Sequence, residues 1–128
     1  MRAFRTKPFN RFASSNGIDD DELCEAVRRA RNGLVDADLG GGVIKQRLAR
    51  PGQGRAGGFR CIILFRRTGN AFLVHGYAKS DRAGIGPEEL RAFRLLASQM
   101  LGLDDRAIRA AMTNETITEL TCNAEDPS

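Results

Sequence analysis

Two runs dense in β-formers, Phe59 to Arg67 and Ala71 to Lys79, flank the turn Thr68-Gly69-Asn70. That spacing reads as a β-hairpin and is the tightest local constraint in the chain. Val43 to Ala49 reads as a third strand, joined to the hairpin by the glycine-rich connection Pro51 to Gly58. Strict alternation along the last strand sets Phe72, Val74 and Gly76 on one face and Leu73, His75 and Tyr77 on the other.

The flanks carry helical signals. Phe4 to Ala13 reads as a first strand interrupted at Pro8, and Ser14-Ser15-Asn16-Gly17 as a turn. Met1 to Gly17 holds Arg2, Arg5, Lys7 and Arg11 with no acid, but it alternates like a strand and is not read as a targeting segment. Asp19 to Glu22 opens a helix, since carboxylates there complement the macrodipole; a cap is favoured over a metal site. Leu23, Ala26, Val27, Ala30 and Leu34 follow at helical spacing, Arg28, Arg29 and Arg31 lie in the last turns, and Gly33 ends the helix. Leu39 to Gly42 reads as a loop. Pro87-Glu88-Glu89 opens a second helix whose stripe, Leu90, Phe93, Ala97 and Met100 widened by Leu96 and Leu101, reads as core. A third helix starts at Asp104-Asp105 and runs to about Met112, and Thr116 to Thr121 forms a short strand. The order β-α-β-β-β-α-α predicts an α+β fold with a small, mostly antiparallel sheet, helices on one face and the other open to solvent. A chain of 128 residues suits one domain, assigned to residues 1–122 with a frayed tail at 123–128. The longest apolar run, Cys61 to Phe65, falls far short of the ~18 residues of a membrane span, so no membrane partner is expected.

Cys24, Cys61 and Cys122 are odd in number, widely spaced and form no CxxC pair. That usage predicts a reducing cytoplasm and no disulfide framework. His75 is the only histidine, and neither metal nor cofactor is expected. Gly52-Gln53-Gly54-Arg55-Ala56-Gly57 matches a dinucleotide fingerprint in letters only. A strand follows these glycines, so no helix N-terminus is available for a pyrophosphate.

The net charge of +4 conceals an uneven distribution. Val43 to Arg82 holds nine basic residues (Lys45, Arg47, Arg50, Arg55, Arg60, Arg66, Arg67, Lys79 and Arg82) and one acid, Asp81, for a net +8. The remainder, with eleven basic and fifteen acidic residues, carries −4. Charge alone is compatible with a polyanion site and equally with a solvated, arginine-dressed strand surface. Spacing adds that Lys45 and Arg47 share a strand face, as do Tyr77 and Lys79, with Arg60 at the start of the strand between. Convergent Lys, Arg and Tyr suit phosphodiester chemistry. Arginine stabilises phosphorane charge, lysine crowded by cations becomes a general base, and tyrosine stacks or orients.

Three stretches carry a family resemblance: Asp38 to Arg47 (DLGGGVIKQR), Gly54 to Arg60 (GRAGGFR) and Phe72 to Ser80 (FLVHGYAKS), followed by Pro87-Glu88-Glu89-Leu90. In this order they resemble the RelE/HigB-like toxins of bacterial type II toxin–antitoxin modules, nearest the RelE-like cytotoxic translational repressors, from Phe4 to about Glu119. The resemblance implies a compact α+β toxin that cleaves messenger RNA, commonly on the ribosome and without a metal, the 2′-hydroxyl attacking its own phosphodiester. By position it implies catalytic roles for Lys45, Arg47, Arg60, Tyr77 and Lys79; Arg50, Arg55, Arg66 and Arg82 of the basic stretch, with His75, are expected to contact RNA. The implied partner is a cognate antitoxin with a helix-turn-helix DNA-binding domain, alongside mRNA and the ribosome. The same scaffold also hosts gyrase poisons, and a non-catalytic relative that only binds RNA or antitoxin is a further alternative.

Overall fold

The first strand stops at Thr6, where Pro8 enters the first turn of a helix instead of breaking a strand. Proline fits there because that N–H needs no helical partner. The computed structural model describes residues 2–50, 54–81 and 84–122, and of residues 54–57 the backbone alone. In chain order its elements are β1 (Ala3–Thr6), α1 (Lys7–Ser15), α2 (Asp20–Arg31), β2 (Ala37–Gly40) and β3 (Val43–Arg50). They continue with β4 (Gly54–Phe65), β5 (Ala71–Ala78), α3 (Pro87–Met100), α4 (Asp105–Thr113) and β6 (Ile117–Glu119). The strands form one sheet in the order β2-β3-β4-β5-β1-β6. Only β1 and β5 are parallel; the other four pairings are antiparallel. The fold is α+β with a mostly antiparallel sheet, as the sequence predicts.

Several elements differ from the sequence reading. Phe9, Phe12 and Ala13 fall at helical spacing, which makes α1 amphipathic; Phe9 and Ala13 are buried and Phe12 meets Phe59 edge-on at 5.5 Å. The expected loop at Leu39 to Gly42 contains the end of β2 and a turn in which Gly40, Gly41 and Gly42 all have positive φ. Glycine is required there, since L side chains avoid that region. β4 begins at Gly54, inside the expected glycine-rich connection, so these glycines run into a strand and not onto a helix. The expected frayed tail at 123–128 lies outside the described residues. The α2 start follows the sequence: Asp19 caps it by accepting from the Glu22 N–H at 3.0 Å.

Both faces of the sheet are covered, contrary to the expectation of one open face. α1 and α2 bury Phe9, Leu23, Ala26 and Val27 against Ile44, Leu48, Phe59, Cys61, Ile63 and Leu73. α3 and α4 bury Ala97 and Ile108 against Phe4, Val43, Ile62, Leu64, Phe72 and Val74, with Leu90, Phe93, Leu96, Met100 and Leu101 packed around them. The α3 stripe is core, as its spacing predicts.

The alternation on β5 also changes. Ile62 pairs with His75 but Ile63 with Leu73, so Val74 is an extra residue. This bulge restarts the alternation. Phe72 and Val74 join the α3 side, and His75 and Tyr77 follow them there. Leu73 and Gly76 turn toward α1 and α2 instead. The predicted split of the strand therefore holds only up to the bulge.

The expectation of no disulfide is overturned as well. Cys24 in α2 and Cys122 beyond β6 form a disulfide spanning 98 residues, with Cα atoms 5.7 Å apart. The β1–β6 pairing brings them together: Leu120 N–H donates to Ala3 C=O at 2.8 Å, and Arg2 grips both Glu119 oxygens at 3.0 and 2.9 Å. The Arg2 guanidinium holds the Glu119 carboxyl below its usual pKa. Cys61 is buried and free, and burial pushes its thiol pKa up.

A cross-link closing so long a loop contributes roughly 2–4 kcal/mol. Adding reductant should lower the urea midpoint of the parent. Cys24→Ser and Cys122→Ser should each match the reduced parent and show no response to reductant. At Gly76 an added Cβ would lie 2.3 Å from Phe12 Cδ2. Gly76→Ala should therefore cost about 1–3 kcal/mol by overpacking, read as a fall in thermal midpoint.

Candidate functional site

The pairing of three strands brings the sequence-predicted cations together. Arg47 on β3 lies opposite Arg60 on β4, which lies opposite Tyr77 on β5. One row further in, Lys45 lies opposite Ile62 and Ile62 opposite His75. Directly paired residues share a face, so both rows face the α3 side. α3 packs over the inner part of this face, around Val43, Ile62 and Phe72. The cationic end of the same strands borders a pocket.

That pocket has a volume of about 260 Å³ and is lined by Asp36, Ala37, Lys45, Arg47, Arg60 and Lys79. Four of the five residues predicted as catalytic thus converge. Lys79 is reached because the ladder continues past β5, with Lys79 N–H donating to Gly58 C=O at 3.3 Å. Arg60 is only 8% exposed, and its NH1 donates to Phe59 C=O at 3.3 Å. Four cations, Lys45, Arg47, Arg60 and Lys79, lining one small pocket suit an anionic group electrostatically. Among the described residues Asp36 is the only acid lining the pocket. Its Oδ2 accepts from the Arg47 backbone N–H at 2.7 Å and from Arg29 at 3.3 Å.

The other predicted residues stand apart. Tyr77 is 6% exposed, which leaves too little open ring for a base to stack on and makes orientation of its neighbours its available role. His75 lies between Tyr77 and Phe93, at ring-centroid distances of 5.9 and 5.6 Å, and does not line the pocket. Arg50 lies over the Phe59 ring at 5.0 Å; Phe59 belongs to the α1/α2 core, on the opposite side of the sheet. Arg66 follows the far end of β4, six residues from Arg60 or roughly 20 Å along a strand, and donates to Leu101 C=O. Arg55 contributes only its backbone to the described structure, and Arg82 lies outside the described residues. Asp36 and Ala37 were not singled out from sequence. An acid at the start of a short strand carries no signal of its own until register sets it beside Arg47.

A family model described as the RelE toxin of the RelE/RelB toxin–antitoxin system matches residues 1–120. The chain belongs to the RelE toxin family. No curated protein matches it. RelE membership makes this a toxin of a toxin–antitoxin system whose partner is an antitoxin. Among the described residues no helix is long and apolar enough to cross a membrane.

The RelE pocket depends on a buried amide behind it. Gln46 is fully buried on the opposite face of β3 from Lys45 and Arg47. Its Nε2 donates to Ala26 C=O at 3.0 Å and Leu34 C=O at 3.1 Å, and its Oε1 accepts from Asp36 N–H at 2.7 Å. Gln46→Leu keeps the volume but removes these partners. It should cost roughly 2–4 kcal/mol in equilibrium denaturation, because buried polar groups lose their hydrogen bonds.

Proposed function

We propose that this RelE-family toxin is a metal-independent endoribonuclease that cuts mRNA on the ribosome and so arrests translation. The observation that carries this reading is the convergence of Lys45, Arg47, Arg60 and Lys79 on one pocket, with Asp36 the single acid among the described lining residues. Lys45 takes the proton of the ribose 2′-hydroxyl. The 2′-oxygen attacks the adjacent phosphorus, the P–O5′ bond breaks, the departing O5′ takes a proton from water, and a 2′,3′-cyclic phosphate and a 5′-hydroxyl end result. Arg47 and Arg60 stabilise the charge of the phosphorane, and Lys79 holds a neighbouring phosphate. Tyr77 orients the groups beside it. The nucleophile belongs to the substrate and the developing charge meets fixed cations, so this scheme requires no metal. The toxin acts in the cytoplasm, and its antitoxin carries a helix-turn-helix DNA-binding domain.

The test is induction of the toxin without its antitoxin, with mapping of RNA 5′ ends in translated and untranslated messages. Cuts should appear only in translated frames. Lys45→Ala and Arg60→Ala should each slow cleavage by about 10²–10³-fold, as loss of a general base or an oxyanion-type donor does elsewhere. Growth arrest by both variants at the parental level would overturn the site. A DNA-damage response with intact RNA would identify a gyrase poison. Normal growth with salt-sensitive RNA binding would identify a non-catalytic relative.

A further inference from the structure

β2 pairs with β3 only from Val43 to Lys45. Among the described residues, β3 beyond Lys45 has a strand neighbour on one side only, yet this is where Arg47 sits. The open side is closed by charged side chains. Asp36 Oδ2 accepts from Arg47 N–H at 2.7 Å, and Arg29 NH2 donates to Arg47 C=O at 2.7 Å. Arg29 NH1 also bonds the same Asp36 oxygen at 3.3 Å, closing a ring of three contacts. Two residues on, Ala49 N–H donates to Glu22 Oε2 at 2.7 Å. Arg29 and Glu22 both come from α2, and the Arg29 side chain is only 12% exposed. Charge-assisted bonds of this kind are about twice as strong as neutral ones.

We propose that Asp36 and Arg29 are positioning residues that hold the Arg47 backbone in place of a missing strand, and so aim Arg47 into the pocket. This deepens the endoribonuclease reading and rests on it for the role of Arg47. Asp36 acts as an acceptor for one backbone N–H and as the anchor of Arg29. Neither residue needs to touch RNA.

The experiment compares the full-length parent with Asp36→Ala, Asp36→Asn, Arg47→Ala and the Asp36→Ala/Arg47→Ala pair. Hydrogen exchange of the Arg47 amide is followed by NMR, and RNA cleavage on translating ribosomes is followed as a rate constant and a half-saturating concentration. In Asp36→Ala the Arg47 amide should exchange at least about tenfold faster, while the β4 amides of Ile62 to Leu64 keep parental protection. The cleavage rate constant should fall by about 10–100-fold at unchanged half-saturation, as a small misplacement of a catalytic group produces. Asp36→Asn retains an oxygen that accepts from the Arg47 N–H, and should stay within about threefold of the parent on both readouts. The Asp36→Ala effect should vanish in the Arg47→Ala background. Unchanged exchange at Arg47, equal losses in the Ala and Asn variants, or a full Asp36→Ala effect without Arg47 would each overturn the proposal. If the parent cuts no RNA, the endoribonuclease reading falls. The exchange contrast at Arg47 then still decides whether Asp36 holds that backbone.

Discussion

The register of β3 on β4 sets Arg47 directly opposite Arg60, and the rest of the site depends on that juxtaposition. Like charges facing each other across a sheet are destabilising. The opposite face of the same strands supplies the restraint: Leu48 is paired with Phe59, and Cys61 and Ile63 lie in the same apolar core as Leu23 and Val27 of α2. A slip of one residue would turn this whole apolar set onto the face that carries the cations. The core on one face therefore holds together a cluster of cations on the other.

α2 serves this arrangement twice. Its apolar stripe of Leu23, Ala26, Val27 and Ala30 packs beneath the sheet. Its polar flank, through Glu22 and Arg29, bonds the backbone of β3 where β2 has ended. Gln46 joins the two roles from below, since one side chain bonds α2, the connection after it and the Asp36 backbone. The pocket wall at Arg47 is thus made by a helix as much as by a sheet.

Features written in short-range spacing were legible in the sequence. The hairpin around Gly69, the Asp19 cap, the α3 stripe and the shared face of Lys45 and Arg47 each depend on residues within a few positions of one another. What escaped depends on geometry that spacing does not encode. Pro8 has two meanings, strand interruption or first helical turn, and the amphipathic run Phe9, Phe12, Ala13 decides for the second. The extra residue at Val74 has no composition signature, yet it determines which face Tyr77 and His75 occupy. The disulfide needed the pairing of the first strand with the last, which no local pattern announces. Of the predicted catalytic set, Lys45, Arg47, Arg60 and Lys79 converge because they sit on adjacent strands of one meander, whereas Arg50 and Arg66 belong to the opposite face and the opposite end.

The stitch between the chain's early and late segments bears on the order in which the fold is completed during synthesis. β3, β4 and β5 meet through near neighbours in sequence, so every pocket residue has been made once Lys79 emerges. β1 must wait for β5 as its parallel partner and then for β6 as its second neighbour. Long-range pairings of this kind form late and slowly. The meander that bears the cations is therefore available before the sheet around it is closed, and the Cys24–Cys122 bond marks completion of the fold.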